Sequence, residues 1–215
     1  MRKQLYFCQA KIEKWKKMLA GMERRWRNPD IRVAALLVID MQRYFLDKSS
    51  HAYVPAATAI VPGVQRLIRL FRKHKRPVAF TRFAVADDEK DPVGTWWGRS
   101  IADSSCDGMI SKHVRPKKEE KVFRKSSYSP FRGTDLERHL RKLGARQIVI
   151  AGVLTNLCCE TAAREAFELG FDVFLTADAT ATYNEKMHEA TLLNLSCGFA
   201  TPVHASDLRP LRPTP

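Results

Sequence analysis

The segment GVLTNLCCETAA, residues Gly152–Ala163, places a cysteine where nucleophilic chemistry could occur. The apolar run before it predicts a strand and the residues after it predict a helix, so Cys158 falls in the first turn of that helix. The free N–H groups and partial positive charge of a helix N-terminus favour a thiolate over a thiol. The pattern predicts that Cys158 is a nucleophile and the most reactive thiol of the chain, with its own N–H as an oxyanion donor. A buried thiol that only fills space is the alternative.

Two charged residues follow other predicted strands. Asp40 comes directly after the apolar run Val33–Ile39, and a carboxylate at the end of a buried strand suits a general base. Lys125 ends the third predicted strand, KVFRK, and a cation beside Asp40 would keep the carboxylate charged and orient it. Taken singly, Asp40 could be a turn residue and Lys125 a solvated side chain, so the prediction depends on the strand ends meeting.

The elements that would bring these residues together alternate regularly along the chain. Strand-like runs near residues 33–39, 78–82, 121–124, 147–152, 171–176 and 200–204 are separated by amphipathic helical patterns. This alternation predicts an α/β fold, a doubly wound three-layer αβα sandwich with a six-stranded, mostly parallel, Rossmann-like sheet. Because ligands bind such sheets at the carboxyl ends of the strands, the three candidate residues are expected at one edge of the sheet.

The N-terminal part of the chain differs from the rest in charge. The first 32 residues carry ten basic and three acidic side chains, net +7, which is half of the formal net charge of +14. Apolar residues repeat at helical spacing in Ala10–Trp26 and form an apolar stripe of Ile12, Trp15, Met18, Leu19, Met22 and Trp26. We therefore divide the chain into a basic helical extension, residues 1–31, and a catalytic domain, residues 32–215.

The apolar stripe of this helix needs a partner, because an uncovered stripe would be a large exposed apolar patch. The partner is either the chain's own domain or a second subunit. The basic face of the helix could contact nucleic acid or an acidic partner. The absence of interleaved aromatic or glycine-rich segments makes nucleic acid the less favoured of these partners.

Composition excludes several classes of protein. Hydrophobic residues make up 45% and charged residues 28% of the 215 residues, which is typical of globular proteins and not of disordered ones. The longest apolar run is far shorter than the roughly 20 residues that cross a bilayer, and the first thirty residues contain no apolar signal-peptide core. The five cysteines show no CxxC or metal-ligand spacing and no disulfide framework: Cys8, Cys106, Cys158, Cys159 and Cys197. A reducing, cytoplasmic location is expected.

Three segments together resemble the signature segments of the isochorismatase-like cysteine hydrolases. They read LLVIDMQRYF (Leu36–Phe45), KSSYSPF (Lys125–Phe131) and GVLTNLCCETAAREAFELGF (Gly152–Phe171). The DATATYN stretch, Asp178–Asn184, also fits, and the resemblance covers residues 32–208. The order and spacing of the segments make the resemblance specific.

The resemblance implies roles for individual residues. It implies a catalytic triad of Asp40, Lys125 and Cys158 and a non-proline cis peptide bond between Val153 and Leu154. The N–H groups of Leu154 and Cys158 would then form an oxyanion hole. The implied reaction is hydrolysis of a C–N bond in a small amide or carbamoyl substrate, through a thioester on Cys158 and without a cofactor. The family's oligomers favour a homo-oligomer, with the N-terminal helix docked on a second subunit.

Two other functions stay open. Isochorismatases proper cleave a vinyl ether by protonation, so Asp40 could act as a general acid with Cys158 as a bystander. Alternatively, the chain could be a non-catalytic binding module that uses its basic N-terminal helix. Alkylation of the thiol should inactivate an amide hydrolase and leave a vinyl-ether hydrolase unaffected. A steep salt dependence of binding, with no thiol reactivity, would support the binding module.

The resemblance also raises the question of a metal, because nicotinamidases of this fold bind one through an acid and histidines. Asp47 and His51 follow the first strand, but the second strand runs into Thr81–Ala84 without a histidine, so no metal site is expected. His51 is expected to face solvent or to pack on Tyr53. A pocket for a small planar or carboxylated substrate is expected to be lined by Arg82, Trp96 and Trp97, although core packing is an equal alternative for the tryptophans.

Overall fold

The computed structural model of the chain describes residues 3–20 and 28–208. Six parallel strands form one sheet in the order β3-β2-β1-β4-β5-β6. In chain order they are β1 (Ala34–Ile39), β2 (Val78–Phe83), β3 (Val122–Lys125), β4 (Gln147–Val153), β5 (Asp172–Ala181) and β6 (Thr201–Val203). The predicted α/β fold is confirmed, and β5 continues past its predicted end to Ala181.

Eight α-helices lie in the described part of the chain, in addition to three short helical turns. They are α1 (Gln9–Ala20), α2 (Arg43–Leu46), α3 (Pro55–Ala59), α4 (Val61–Lys73), α5 (Pro92–Trp97), α6 (Leu136–Lys142), α7 (Glu160–Glu168) and α8 (Glu185–Gly198). Local signals set their ends: the Asn184 side chain accepts a hydrogen bond from the Met187 N–H at the start of α8, and Gly170 follows α7 with φ +80°. Every residue of β1 and β4 is buried, because helices cover the centre of the sheet on both faces.

The strand order reverses between β1 and β4, where open α/β sheets bind their ligands. Here the last residue of β1, Ile39, pairs with Gly152 of β4. Gly152 has φ +120°, and a Cβ atom on it would lie 2.0 Å from the Ile39 carbonyl oxygen. Only glycine permits this approach. It brings the residue after β1, Asp40, beside the turn that follows β4.

The described part of the N-terminal helix α1 packs on the chain's own domain, which is the first of the two partners that the sequence left open; docking on a second subunit, which the family resemblance favoured, stays a prediction. Trp15 and Leu19 are buried in the same core as the sheet. The Trp15 ring lies 4.6 Å from the His188 ring, centroid to centroid, and its Nε1–H donates to Glu189 Oε1 at 3.0 Å. Ile12 and Met18 are partly buried against the same core, so the described part of the apolar stripe faces the domain. Met22 and Trp26 lie outside the described residues.

The basic face of α1 meets acidic side chains of the same domain. Lys11 pairs with Glu185 at 2.7 Å, Lys14 with Glu189 at 2.7 Å and Lys16 with Asp207 at 3.1 Å. The first two pairs join α1 to α8 and the third joins it to the segment after β6, and together they use part of the positive charge that the sequence concentrates there. The division of the chain at residue 31 stays a prediction, although the described part of the extension shares the domain's core. Within residues 3–20 and 28–208, no helix is long and apolar enough to cross a membrane.

Candidate active site

The structure brings together the side chains of Asp40, Lys125 and Cys158. Asp40 Oδ2 lies 2.7 Å from Lys125 Nζ, and Lys125 Nζ lies 3.2 Å from Cys158 Sγ. The three residues come from the end of β1, the end of β3 and the turn after β4. The carboxylate and the ammonium are completely buried, and Cys158 is 7% exposed. A charged pair therefore lies directly against a thiol at the carboxyl edge of the sheet.

Thr81 holds the Asp40 carboxylate in place, a role that the sequence gave no reason to assign. Its hydroxyl donates to Asp40 Oδ1 at 2.7 Å, and the Asp40 N–H donates to the same hydroxyl oxygen at 3.2 Å. Asp40 has φ +48°, a conformation that aspartate tolerates better than most residues. Within the described residues, Oδ2 has its ion-pair contact with Lys125 but no well-directed hydrogen bond. This oxygen therefore has room for a further hydrogen-bond donor beside Lys125.

Burial and charge set the protonation of the other two groups. Burial lowers the pKa of Lys125, but the negative charges of Asp40 and the Cys158 thiolate outweigh it, so this pKa lies above its ordinary value. The lysine is an ammonium ion at neutral pH. Burial raises the pKa of the Cys158 thiol to about 12, because the opposing effect of Lys125 only partly offsets it and Asp40 adds to it. The helix terminus and Lys125 favour a thiolate, but burial opposes them, so the side chain rests as a thiol beside Asp40.

The turn that carries Cys158 has an unusual backbone. The peptide bond between Val153 and Leu154 is cis, and one π-helical turn, Thr155–Cys159, follows it. Helix α7 starts only at Glu160, later than the sequence pattern predicts. The Thr155 hydroxyl lies 3.0 Å from Nδ1 of His188, whose Nε2 lies 3.0 Å from the Ala177 carbonyl oxygen. This turn is therefore anchored to α8 and β5.

A cavity of about 400 Å³ opens above the three side chains. Asp40, Leu154 and Cys158 lie among its lining residues. Aromatic side chains form much of the remainder: Tyr44, Phe45, Phe83, Trp97, Tyr128 and Tyr183. Pockets of this size hold single small molecules, and aromatic walls suit a planar group.

The structure separates the three residues predicted to line a substrate pocket. Trp97 lines the cavity, and its Nε1–H donates to the Tyr128 hydroxyl at 2.8 Å. Trp96 is 79% exposed and does not line it. Arg82 lines a separate groove, where it pairs with Asp103. The expectation for Arg82 is corrected because side chains alternate along a strand: Thr81 points to Asp40, so Arg82 points away.

Several lining residues were missed by sequence reasoning. His51 is exposed, as one of its two expected placements required, and it also lines the cavity, where its Nε2 lies 3.0 Å from the Tyr44 hydroxyl. Three tyrosines of the wall lie within the segments that carry the family resemblance, so that signal could have identified them: Tyr44, Tyr128 and Tyr183. Lys3 and Arg99 also line the cavity, and no pattern in the sequence points to them.

The residues available for a metal do not fit one. The Asp47 carboxylate accepts hydrogen bonds from the Ser49 N–H and hydroxyl, and it lines the same separate groove as Arg82. His51 lines the cavity and contacts Tyr44. In the part of the chain that the structure describes, no three acidic, histidine or cysteine side chains come together as a ligand set. We therefore derive no step through a metal.

Comparisons with known proteins agree with this fold. A family model, the Isochorismatase domain, matches residues 34–207. Nicotinamidase 3 of Arabidopsis thaliana is 41% identical over 195 residues, which cover 87% of this chain and 92% of that protein. The chain belongs to the isochorismatase family. It is a hydrolase.

Solved structures show the same architecture. A cysteine hydrolase from Pseudomonas syringae pv. phaseolicola superposes with a TM-score of 0.80 at 23% identity, covering 85% of this chain and 93% of that one. The pyrazinamidase of Pyrococcus horikoshii, solved in complex with zinc, gives a TM-score of 0.71 at 26% identity, with coverages of 80% and 99%. At 23% identity, the likeness to the cysteine hydrolase from Pseudomonas syringae shows a shared fold and nothing more.

Proposed function

We propose that this hydrolase cleaves the C–N bond of a small amide or carbamoyl compound through a thioester on Cys158. The observation that carries the proposal is the contact of Asp40, Lys125 and Cys158 at the base of the cavity. The likeness to a nicotinamidase and a pyrazinamidase, both named for amides of a single ring, supports it. A cavity of about 400 Å³ has room for such a ring.

The first half of the reaction forms the thioester. Asp40 Oδ2 accepts the proton of the Cys158 thiol while Sγ attacks the amide carbon and a C–S bond forms. This concerted transfer suits a thiol whose pKa burial raises to about 12, because no thiolate is present beforehand. The N–H groups of Leu154 and Cys158 would donate to the oxyanion, and one such donor is typically worth about 3–4 kcal/mol.

The second half releases both products. When the intermediate collapses, the C–N bond breaks and Asp40 returns its proton to the leaving nitrogen, which departs as ammonia or an amine. Water then attacks the thioester and gives a proton to Asp40. The C–S bond breaks, Cys158 takes that proton back, and the carboxylic acid leaves. Lys125 stays protonated throughout and balances the charge on Asp40 and on sulfur.

The cellular location, the class of substrate and the oligomeric state are also part of the proposal. All five cysteines are free thiols, which fits the reducing cytoplasm. The substrate is a small molecule, and the reaction as written needs no cofactor. A homo-oligomer is proposed from the family resemblance.

Ammonia release from nicotinamide, pyrazinamide and small ureido acids tests the proposal. We expect the wild-type protein to release ammonia from at least one of them and Cys158→Ala to release none. Cys159→Ala is the matched control, because Cys159 is a buried neighbour that does not line the cavity, and it should keep most of the activity. Full ammonia release by Cys158→Ala would contradict the nucleophile assignment, whereas no ammonia from any amide, together with cleavage of a vinyl ether by both the wild type and Cys158→Ala, would favour Asp40 as a general acid.

A further inference from the structure

The N-terminal segment, residues 3–8, forms part of the cavity although the family match begins only at residue 34. Lys3 Nζ donates to the His51 carbonyl oxygen at 2.8 Å. The Gln4 N–H donates to the Tyr183 carbonyl oxygen at 2.8 Å, and the Tyr6 hydroxyl accepts from the Thr182 N–H at 3.0 Å. The segment is thus fastened to two of the loops that surround the cavity. It places the Lys3 ammonium at the cavity wall.

The charges that line the cavity are unbalanced. Lys125 compensates the one lining carboxylate, Asp40. Lys3 and Arg99 also line the cavity, and neither forms an ion pair with a carboxylate among the described residues. Arg82 and Arg124, by contrast, each pair with an acidic side chain. Two positive charges are therefore available to a ligand in the cavity.

Both charges lie around the contact between Tyr44 and His51. Lys3 Nζ contacts the His51 carbonyl, and the His51 ring contacts the Tyr44 hydroxyl. Arg99 lines the same cavity as Tyr44 and His51. Burial raises the pKa of Tyr44, and the positive charge of Arg99 opposes this rise. Partial burial lowers the pKa of Lys3, because the ammonium has lost part of its hydration. An anion at this position would replace the lost water.

We propose that Lys3 and Arg99 bind an anionic group of the substrate, so that this chain prefers small amides that carry a carboxylate over neutral ones. The carboxylate would contact the wall near His51 while the amide carbon lies against Cys158. Residues 3–8 are then part of the substrate site. This inference rests on the proposed function for the identity of the reacting amide.

Binding to the Cys158→Ala protein tests the inference without turnover. Isothermal titration would compare 3-carbamoylbenzoate with isophthalamide, which replaces the carboxylate by a neutral amide of similar shape. We expect the anion to bind at least about tenfold more tightly, and its affinity to fall as ionic strength rises. Lys3→Met and Arg99→Met should each weaken binding of the anion by about three- to tenfold and leave isophthalamide unchanged. Lys48→Met, in the separate groove, is the matched control.

Equal affinities for the two ligands would overturn the inference. So would a Lys3→Met variant that loses both ligands alike, because Lys3 would then only support the fold of the wall. If Cys158→Ala does not fold, Cys158→Ser takes its place. A failure of the proposed function can be told apart from a failure of this inference. If the proposed function is wrong, the Cys158 variants turn over substrate while the anion still binds more tightly than the neutral ligand.

Discussion

The base and the wall of the cavity are built from different parts of the molecule. The base consists of Asp40, Lys125 and Cys158, which follow strands of the sheet and are almost completely buried. The wall consists of residues from loops, from the short helices α2 and α5 and from the N-terminal segment: Lys3, Tyr44, His51, Trp97, Arg99, Tyr128 and Tyr183. Within the wall, Trp97 is 40% exposed.

This difference separates two tasks. The ends of parallel strands fix the reacting groups, because neighbouring strands cannot shift without breaking the register of the sheet. The wall can change in sequence and length without disturbing the sheet, so we expect it to be the region that selects the substrate. The account therefore predicts large effects on chemistry at the base and small effects on substrate binding at the wall.

The largest effect is expected at the buried ion pair of the base. Asp40→Asn should lower kcat/KM by about 10⁴-fold or more, because it removes the group that accepts the thiol proton. It should also lower the free energy of unfolding by about 3–5 kcal/mol, because Lys125 is left charged and buried without a partner. Urea unfolding and ammonia release measure the two effects.

A double variant separates stability from chemistry. Asp40→Asn/Lys125→Met should regain most of the lost stability, since no unpaired charge remains, but none of the activity. Substantial activity in Asp40→Asn would contradict its role as the base. A double variant less stable than Asp40→Asn would show that the ion pair does not set the stability of this region.

The reactivity of Cys158 gives a second, intermediate effect. Because burial raises its pKa to about 12, iodoacetamide at pH 7 should label Cys158 after the exposed Cys8, Cys106 and Cys197. Its thiolate fraction rises about tenfold per pH unit below the pKa, so its labelling rate should still be rising at pH 10. Peptide mass spectrometry of samples labelled at several pH values measures this. If Cys158 were labelled first at pH 7, the sequence-based prediction that it is the most reactive thiol would be correct and the raised pKa would be contradicted.

The smallest effect is expected at the wall. Trp97→Phe removes the hydrogen bond to the Tyr128 hydroxyl and should raise KM for a ring amide by about two- to tenfold, with kcat little changed. Trp96→Phe is the matched control, because the neighbouring ring is exposed and should not affect KM. Steady-state kinetics measures both variants. Equal effects of the two substitutions, or a loss in kcat from Trp97→Phe, would remove the distinction between base and wall.

The same contrast explains what the sequence could predict. Alternating strands and helices predicted the six strands, and the order of strand ends predicted that Asp40, Lys125 and Cys158 would meet. The raised pKa of Cys158 depends on burial, which spacing along the chain does not report. Arg82 was misplaced because the sequence does not show which face of β2 turns toward Asp40, and the structure places Thr81 on that face and Arg82 on the opposite one. The contact of Lys3 with His51 joins residues 48 positions apart, and no local pattern encodes it.

The most direct test of the central claim is the mass of the protein during turnover. A reaction quenched in acid after milliseconds to seconds, with an amide substrate in excess, should contain protein that carries the acyl group of the substrate. Peptide mapping should place that group on Cys158, and hydroxylamine should remove it because it is a thioester. Cys159→Ala should give the same adduct and Cys158→Ala none. Turnover without any adduct, together with an active Cys158→Ala variant, would contradict the claim that Cys158 is the nucleophile.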